Sequence, residues 1–87
     1  MKTFTATRAA DKPGAANQLR SWHLSAGGTA LVVNFCDNTA ATPFFQVQVP
    51  INSSASESYP QSQPWFPNGL HVEVVSGILN RGCIDIV

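Results

Sequence analysis

The chain alternates between apolar and polar residues along most of its length, as β-strands with one dry face do. The best alternation runs from Phe44 to Ile51. A second begins at Leu70, directly after an Asn68-Gly69 pair that tolerates the positive φ angles of tight turns. Helical spacing is nearly absent, so the pattern predicts an all-β chain.

Six strands separated by turns rich in Gly, Pro and Asn are predicted. They are Lys2–Arg8, Leu19–Ala26, Thr29–Asp37, Phe44–Ile51, Leu70–Ser76 and Cys83–Val87. Such spacing is typical of a small antiparallel β-sandwich of about six to eight short strands, jelly-roll or immunoglobulin-like. The 87 residues make a single domain, 1–87. The positions predicted to face the core are Phe4, Trp22, Leu24, Leu31, Val33, Phe35, Phe45, Val47, Val49, Leu70, Val72, Val74, Ile84 and Ile86.

The connections are predicted from their Gly, Pro and Ser content. Gly27-Gly28 is interpreted as a two-residue hairpin turn, and Gly77–Gly82 as a turn region. In the strand before Gly27, Leu19 is expected on the outer face, and Arg20 is expected on the same face as Trp22. The stretch Asn52–Pro64 is expected to be irregular, and loops of that length are often functional.

Charge and targeting signals narrow the function classes. Charged residues make up 11% of the chain, and five Lys or Arg balance five Asp or Glu. A weakly charged surface favours protein partners over nucleic acid, because phosphate contacts dominate nucleic-acid affinity. No apolar run approaches the roughly 20 residues of a membrane helix, and the N-terminus lacks a hydrophobic signal core. We therefore expect synthesis in a cytoplasm and no membrane partner.

The residues that usually carry catalysis are few. Asp85, Glu73, Cys36 and Cys83 could gather around His23 and His71, but the spacing contains neither a nucleophile elbow nor paired metal ligands. The sequence therefore predicts no enzyme, no cofactor and no metal site. Cys36 and Cys83 are expected to be reduced, half-buried thiols.

The aromatic residues Trp22, Tyr59, Trp65 and Phe66 allow three interpretations. They could stack on sugar rings, or Trp22 could fill the core while Trp65 and Phe66 cover its open edge, which ordinary burial favours. Alternatively, Tyr59 and Trp65 could anchor a protein interface, where aromatic side chains concentrate.

Four segments carry a resemblance to a known group of proteins. They are Leu19–Ser25, Leu31–Asp37, Phe45–Pro50 and Phe66–Gly77, the last containing Asn68-Gly69-Leu70. The chain from Leu19 to Val87 resembles the small β-sandwich structural proteins of tailed bacteriophages. The resemblance implies a virion part, either a capsid-decorating cement protein or an accessory piece of tail or fibre, and it brings no catalytic residues.

The preferred hypothesis is a non-enzymatic decoration protein that binds and stabilises the assembled coat. Its expected partners are the major capsid protein or other virion subunits, and its expected location is the virion, after assembly in the host bacterial cytoplasm. A homo-oligomer is expected, and a trimer would suit a local three-fold axis. The alternatives are a tail or fibre accessory protein, a carbohydrate-binding module for host recognition, and a bacterial adaptor. The predicted partner-binding residues are Tyr59, Trp65, Phe66, Phe44, Gln46 and Gln48.

Overall fold

The structure, a computed structural model, describes residues 2–8, 17–61 and 63–86, and these form eight strands. The strands are β1 Lys2–Phe4, β2 Asn17–Ala26, β3 Leu31–Asp37, β4 Pro43–Val49, β5 Ser54–Ser58, β6 Trp65–Phe66, β7 Leu70–Ser76 and β8 Leu79–Ile86. No helix occurs within these ranges, so the predicted all-β class is confirmed.

The strands form two antiparallel sheets. In the five-stranded sheet the order is β1-β8-β2-β5, and β6 pairs with the beginning of β2. The three-stranded sheet has the order β4-β3-β7. Because each sheet has one apolar face, the two faces pack together and form the core of a small sandwich.

The predicted core positions are confirmed as a set. Nine are buried, namely Trp22, Leu24, Leu31, Val33, Phe35, Val49, Leu70, Val72 and Ile84. The other five are partly buried against that core: Phe4, Phe45, Val47, Val74 and Ile86. The alternation therefore identified which face of each strand turns inward.

The prediction for the beginning of β2 was wrong because of a β-bulge. Leu19 pairs with Ile86 and Ser21 pairs with Asp85, which leaves Arg20 as an extra residue in β2. The extra residue reverses the alternation. Leu19 is therefore fully buried on the same face as Trp22, whereas Arg20 is exposed.

Two turns connect different sheets instead of closing hairpins. Gly27-Gly28 was predicted to form a hairpin turn, but β2 and β3 belong to separate sheets and the segment crosses between them. The Asn68-Gly69 turn likewise carries the chain from β6 to β7 in the other sheet. Gly69 has φ of 109° and its N–H donates to the Phe66 carbonyl at 3.2 Å.

Three element boundaries also differ from the prediction. Asn52–Pro64 contains β5, whose Ser-rich sequence hides the pattern because only Ala55 among its residues is half-buried. Gly77–Gly82 is not all turn, since β8 begins at Leu79. The predicted first strand ends at Phe4, because the following residues leave the five-stranded sheet.

Candidate protein-docking site

One side of the sandwich, which we call the closed side, joins the edges of β1 and β7. The chain leaves β1 and crosses to the other sheet, where Arg8 and Val72 exchange two backbone hydrogen bonds of 2.8 and 2.9 Å. The Val74 N–H donates to Thr7 Oγ1 at 3.1 Å. The free edge of β7 is therefore covered by the chain's own N-terminal segment.

The opposite side, which we call the open side, holds the edges of β4 and β5. Because β1 lies over β7, the sheet orders place β5 and β6 over β4. Among the described residues, no hydrogen bond reaches the outer edge of β4, which pairs only with β3. Every second residue of β4 therefore turns its N–H and C=O groups away from the sheet.

Strand β4 has edge-protecting features at its beginning, where Pro43 stands and the register with β3 shifts, but the rest of the strand has none. It is seven residues long and carries no charged side chain, with the sequence PFFQVQV. Its inward-facing residues Phe45 and Val47 remain partly exposed, because no strand continues the sheet beyond them. A long, uncharged edge with apolar side chains is a template for another β-strand.

Phe44 lies at the beginning of this edge and is 49% exposed. Its ring stacks on Phe66, with centroids 5.2 Å apart and planes at 19°. Phe66 is fully buried and also contacts Phe45, with centroids 6.4 Å apart. The stack holds one face of Phe44 against the core, so the exposed part is an ordered aromatic surface.

A row of side-chain amides follows Phe44 in β4 and lies on the outer face of the three-stranded sheet. Gln46 Nε2 donates to Asn34 Oδ1 at 2.9 Å, and Gln48 Nε2 donates to Gln46 Oε1 at 3.3 Å. Gln46 and Asn34 are register partners on neighbouring strands. These amides orient one another and keep further donor and acceptor capacity for a partner.

The six predicted partner-binding residues occupy four different settings. Phe44, Gln46 and Gln48 are exposed residues of one strand, but the register with β3 shifts at Phe44 and its ring turns toward Phe66 in the other sheet. Phe66 is buried, so its contribution to a partner surface would act through Phe44. Trp65, next along β6, is 55% exposed.

Tyr59 has a structural role. Its hydroxyl accepts a hydrogen bond from Trp22 Nε1 at 3.1 Å, and its N–H donates to the Arg20 carbonyl at 2.7 Å. Trp22 is 8% exposed and contacts Phe35, so it belongs to the core as ordinary burial suggested. Tyr59 satisfies the indole N–H on the open side.

Asp37 was not singled out in the sequence, yet it positions the turn that follows β6. It is 8% exposed, and its two carboxylate oxygens accept hydrogen bonds from the Asn68 N–H and Nδ2 at 2.8 and 2.9 Å. The Asn38 N–H donates to the Gly69 carbonyl at 2.7 Å. These bonds fix β6 and therefore Phe66 beneath Phe44. The sequence offered two signals for this contact, a carboxylate at the end of a strand and an Asn-Gly pair. Nothing in the sequence shows that these two features contact each other.

Cys36, His71 and Glu73 come together on the outer face. Cys36 and His71 are register partners, and His71 Nε2 lies 3.1 Å from Glu73 Oε2. The order matches that of a nucleophile, a base and an orienting carboxylate. However, burial and then the Glu73 charge raise the pKa of the Cys36 thiol, and the side chain is fully buried. An activated cysteine needs the opposite shift and an accessible sulfur.

Cys83 is also a buried free thiol, in the other sheet. Across the described ranges, no three His, Cys, Asp or Glu residues are placed to hold a metal ion. A search of the same ranges for a helix able to cross a membrane found none. Comparisons with protein-family models, curated proteins and solved structures found no match.

Proposed function

We propose that this chain is a non-enzymatic bacteriophage virion protein of the capsid-decorating kind, which binds and stabilises assembled coat subunits. The observation that carries the proposal is the ordered Phe44 ring beside the amide row on an uncharged strand. An aromatic anchor with hydrogen-bonding groups around it is the usual composition of a protein interface. The resemblance to phage structural proteins supplies the class of partner.

The stack on Phe66 favours binding because the ring is already ordered before a partner arrives. Ordering a mobile side chain on binding costs about 0.5–1.5 kcal/mol, and Phe44 avoids part of that cost. Each single contact can remain weak. A coat lattice presents many copies of the same site, and an oligomeric decoration protein gains affinity by binding several at once.

A co-sedimentation assay with particles stripped of the native protein tests the docking surface. Phe44→Ala should reduce occupancy, because truncating an anchoring aromatic commonly costs more than about 1 kcal/mol. Gln46→Ala combined with Gln48→Ala should reduce it without touching the core. Ile78→Ala is the matched control, because Ile78 is 69% exposed and lies between β7 and β8.

Each outcome of the assay decides the docking surface. The proposal predicts that the control binds like wild type and that both β4 variants bind less, with folding verified by circular dichroism. Wild-type occupancy by folded β4 variants would contradict docking through this surface.

A mass-spectrometric inventory of purified capsids and tails tests the location, and enrichment in tails would favour the accessory role. Absence of the chain from both would contradict the virion assignment.

Carbohydrate binding is the second candidate, and the exposed Trp65 favours it. The ring is 55% exposed, and Gln63 lies two residues before it. An exposed indole can stack on a sugar face, and a nearby amide can bond its hydroxyls. A glycan array with wild type and Trp65→Ala tests this function. Binding lost in the variant would support it, and no binding by wild type would contradict it.

A further inference from the structure

We propose that β4 pairs antiparallel with β4 of a second copy of this chain, so that the two three-stranded sheets become one continuous sheet. The proposed pairing follows from the edge itself and does not depend on the virion assignment. An antiparallel pair of identical strands is related by a two-fold axis, and such an interface closes at two copies.

The backbone of β4 provides the first argument. Within the described ranges, the four edge strands differ in length and in cover. Strand β1 has only three residues, β7 is bridged by Arg8, and β5 and β4 have no partner on their outer edges. Pro43 begins β4 and Pro50 follows it, so a ladder with a second copy is limited to residues 44–49. Because paired residues must lie on the same face, at most five of these residues can pair symmetrically, which is close to the usual length of a strand in a sheet.

The absence of charge on β4 permits a second copy as the occupant. Directly opposed like charges destabilise a strand pair, and when a strand pairs antiparallel with its own copy, a charge near the two-fold axis meets itself or lies diagonal to itself. Strand β4 carries no charge at any position, so self-pairing meets no repulsion in any register. By contrast, self-pairing of β5 would bring two copies of Glu57 close together.

The side chains of β4 are also self-complementary. Because side chains alternate along a strand, inward residues of one copy must lie beside inward residues of the other. The partly exposed Phe45 and Val47 would therefore cover their counterparts. On the outer face, Gln46 and Gln48 would meet the same amides, which both donate and accept hydrogen bonds.

The pairing also deepens the proposed function, and this step rests on it. The joined sheet would present two copies of the Phe44 and amide surface on one continuous face. A dimer could then bind two neighbouring coat sites, which raises the apparent affinity beyond that of one site. Sedimentation equilibrium measures sheet pairing, and co-sedimentation with stripped particles measures coat binding, so failure of one is distinguishable from failure of the other.

Sedimentation equilibrium of the purified full chain at millimolar concentration tests the pairing. Wild type should sediment as a dimer, and a variant with Gln46→Lys and Gln48→Lys should sediment as a monomer. Both positions are exposed, so circular dichroism should show an unchanged fold. The matched control is Ser54→Lys with Ser56→Lys, which adds the same charge to exposed positions of the other open edge. The control should remain dimeric.

A charge-swap experiment shows which strand lies opposite β4. The lysine variant is mixed with a variant carrying Gln46→Glu and Gln48→Glu. Heterodimers should form, because when the two-fold axis lies at residue 46, 47 or 48, these positions lie opposite or diagonal to themselves or to each other. A monomeric or trimeric wild type would overturn the proposal, as would a dimeric lysine variant. Failure of the two variants to combine would overturn pairing of β4 with itself.

Discussion

The closed and open sides face the same physical problem, because both end in strands with unpaired backbone groups. On the closed side the chain itself solves it: Arg8 pairs with Val72, and Thr7 accepts the Val74 N–H. On the open side the described residues supply neither a covering segment nor a charge on β4. Within the described ranges, therefore, the chain covers the edge of β7 and leaves that of β4 uncovered.

The two sides also differ in how they pack. On the closed side Phe4 lies over Gly82, where an added Cβ would come within 2.6 Å of the ring, so the glycine makes room for the aromatic side chain. On the open side Phe45 and Val47 point inward but remain partly exposed. A further strand would complete the burial of these residues, which is why we place docking there.

The largest expected difference is between two register partners on the same inner face. Val33 in β3 is fully buried, whereas Val47 opposite it in β4 is partly exposed. Val33→Asp should prevent folding, since an unpaired buried charge costs several kcal/mol against a total stability of about 5–15 kcal/mol. Val47→Asp should be milder and leave a folded monomer.

Urea unfolding followed by circular dichroism checks the pair. If alternation alone determined burial, Val47 would be a core position, and Asp would prevent folding there as it does at Val33. The two variants therefore test whether the open edge makes position 47 more tolerant of a charge than position 33. Equal loss of folding in both would show that β4 is as closed as β3.

Removal of the Tyr59 hydroxyl should destabilise the open side by less. Tyr59→Phe leaves the Trp22 Nε1 proton without its partner, which costs about 1–3 kcal/mol where water cannot replace it. Tyr59→Ala should cost more because packing is also lost. The urea midpoint and the tryptophan fluorescence measure both effects. A midpoint equal to that of wild type in Tyr59→Phe would show that the hydrogen bond contributes nothing.

Opening the closed side should cost little in stability, but it should reduce the local protection of the β7 edge from hydrogen exchange. Thr7→Val removes the acceptor of the Val74 N–H, and an exposed bond of this kind contributes about 0.5–1.5 kcal/mol or less. Hydrogen exchange at Val74 should accelerate, while that at Val33 stays unchanged. Thr5→Val is the control, because Thr5 is exposed on the same segment. Unchanged exchange at Val74 would mean that Thr7 does not close this edge.

Replacing Cys36 should change the stability least, and the size of that change depends on pH. Burial and Glu73 raise the pKa of the thiol in the folded state, so unfolding favours ionisation at high pH. The stability contributed by the protonated Cys36 thiol is therefore fully present below the ordinary thiol pKa. It is lost as the pH rises through the pKa of this thiol in the folded protein. Wild type should lose more stability than Cys36→Ala between pH 8 and 10, a window around the ordinary thiol pKa of about 8.5, in urea titrations. Parallel pH curves would contradict the shift.

The sequence predicted the inner faces of the strands well, because burial imposes a period of two on residues such as Val33 and Phe35. It missed the bulge at Arg20, because one extra residue reverses the period without leaving a turn signal. It also missed β5, since an exposed Ser-rich edge strand has almost no buried face to produce a pattern.

The candidate site was partly predictable. Spacing alone placed Phe44, Gln46 and Gln48 on one outer face, but it could not show the register shift that turns the Phe44 ring toward Phe66. The stack of Phe44 on Phe66 was not predictable, because it joins two sheets through contacts between residues distant in the chain. The sheet order that makes β4 an edge and bridges β7 by Arg8 is likewise a property of the three-dimensional arrangement.

The central claim is that the edge of β4 accepts a partner strand while that of β7 is already occupied. Residue-resolved hydrogen exchange of the full chain, measured by NMR at several protein concentrations, tests it most directly. We predict that amides within residues 44–49 become more protected as concentration rises, while Val72 and Val74 keep constant protection. Protection of β4 that does not depend on concentration, or a concentration effect confined to β5, would contradict the account.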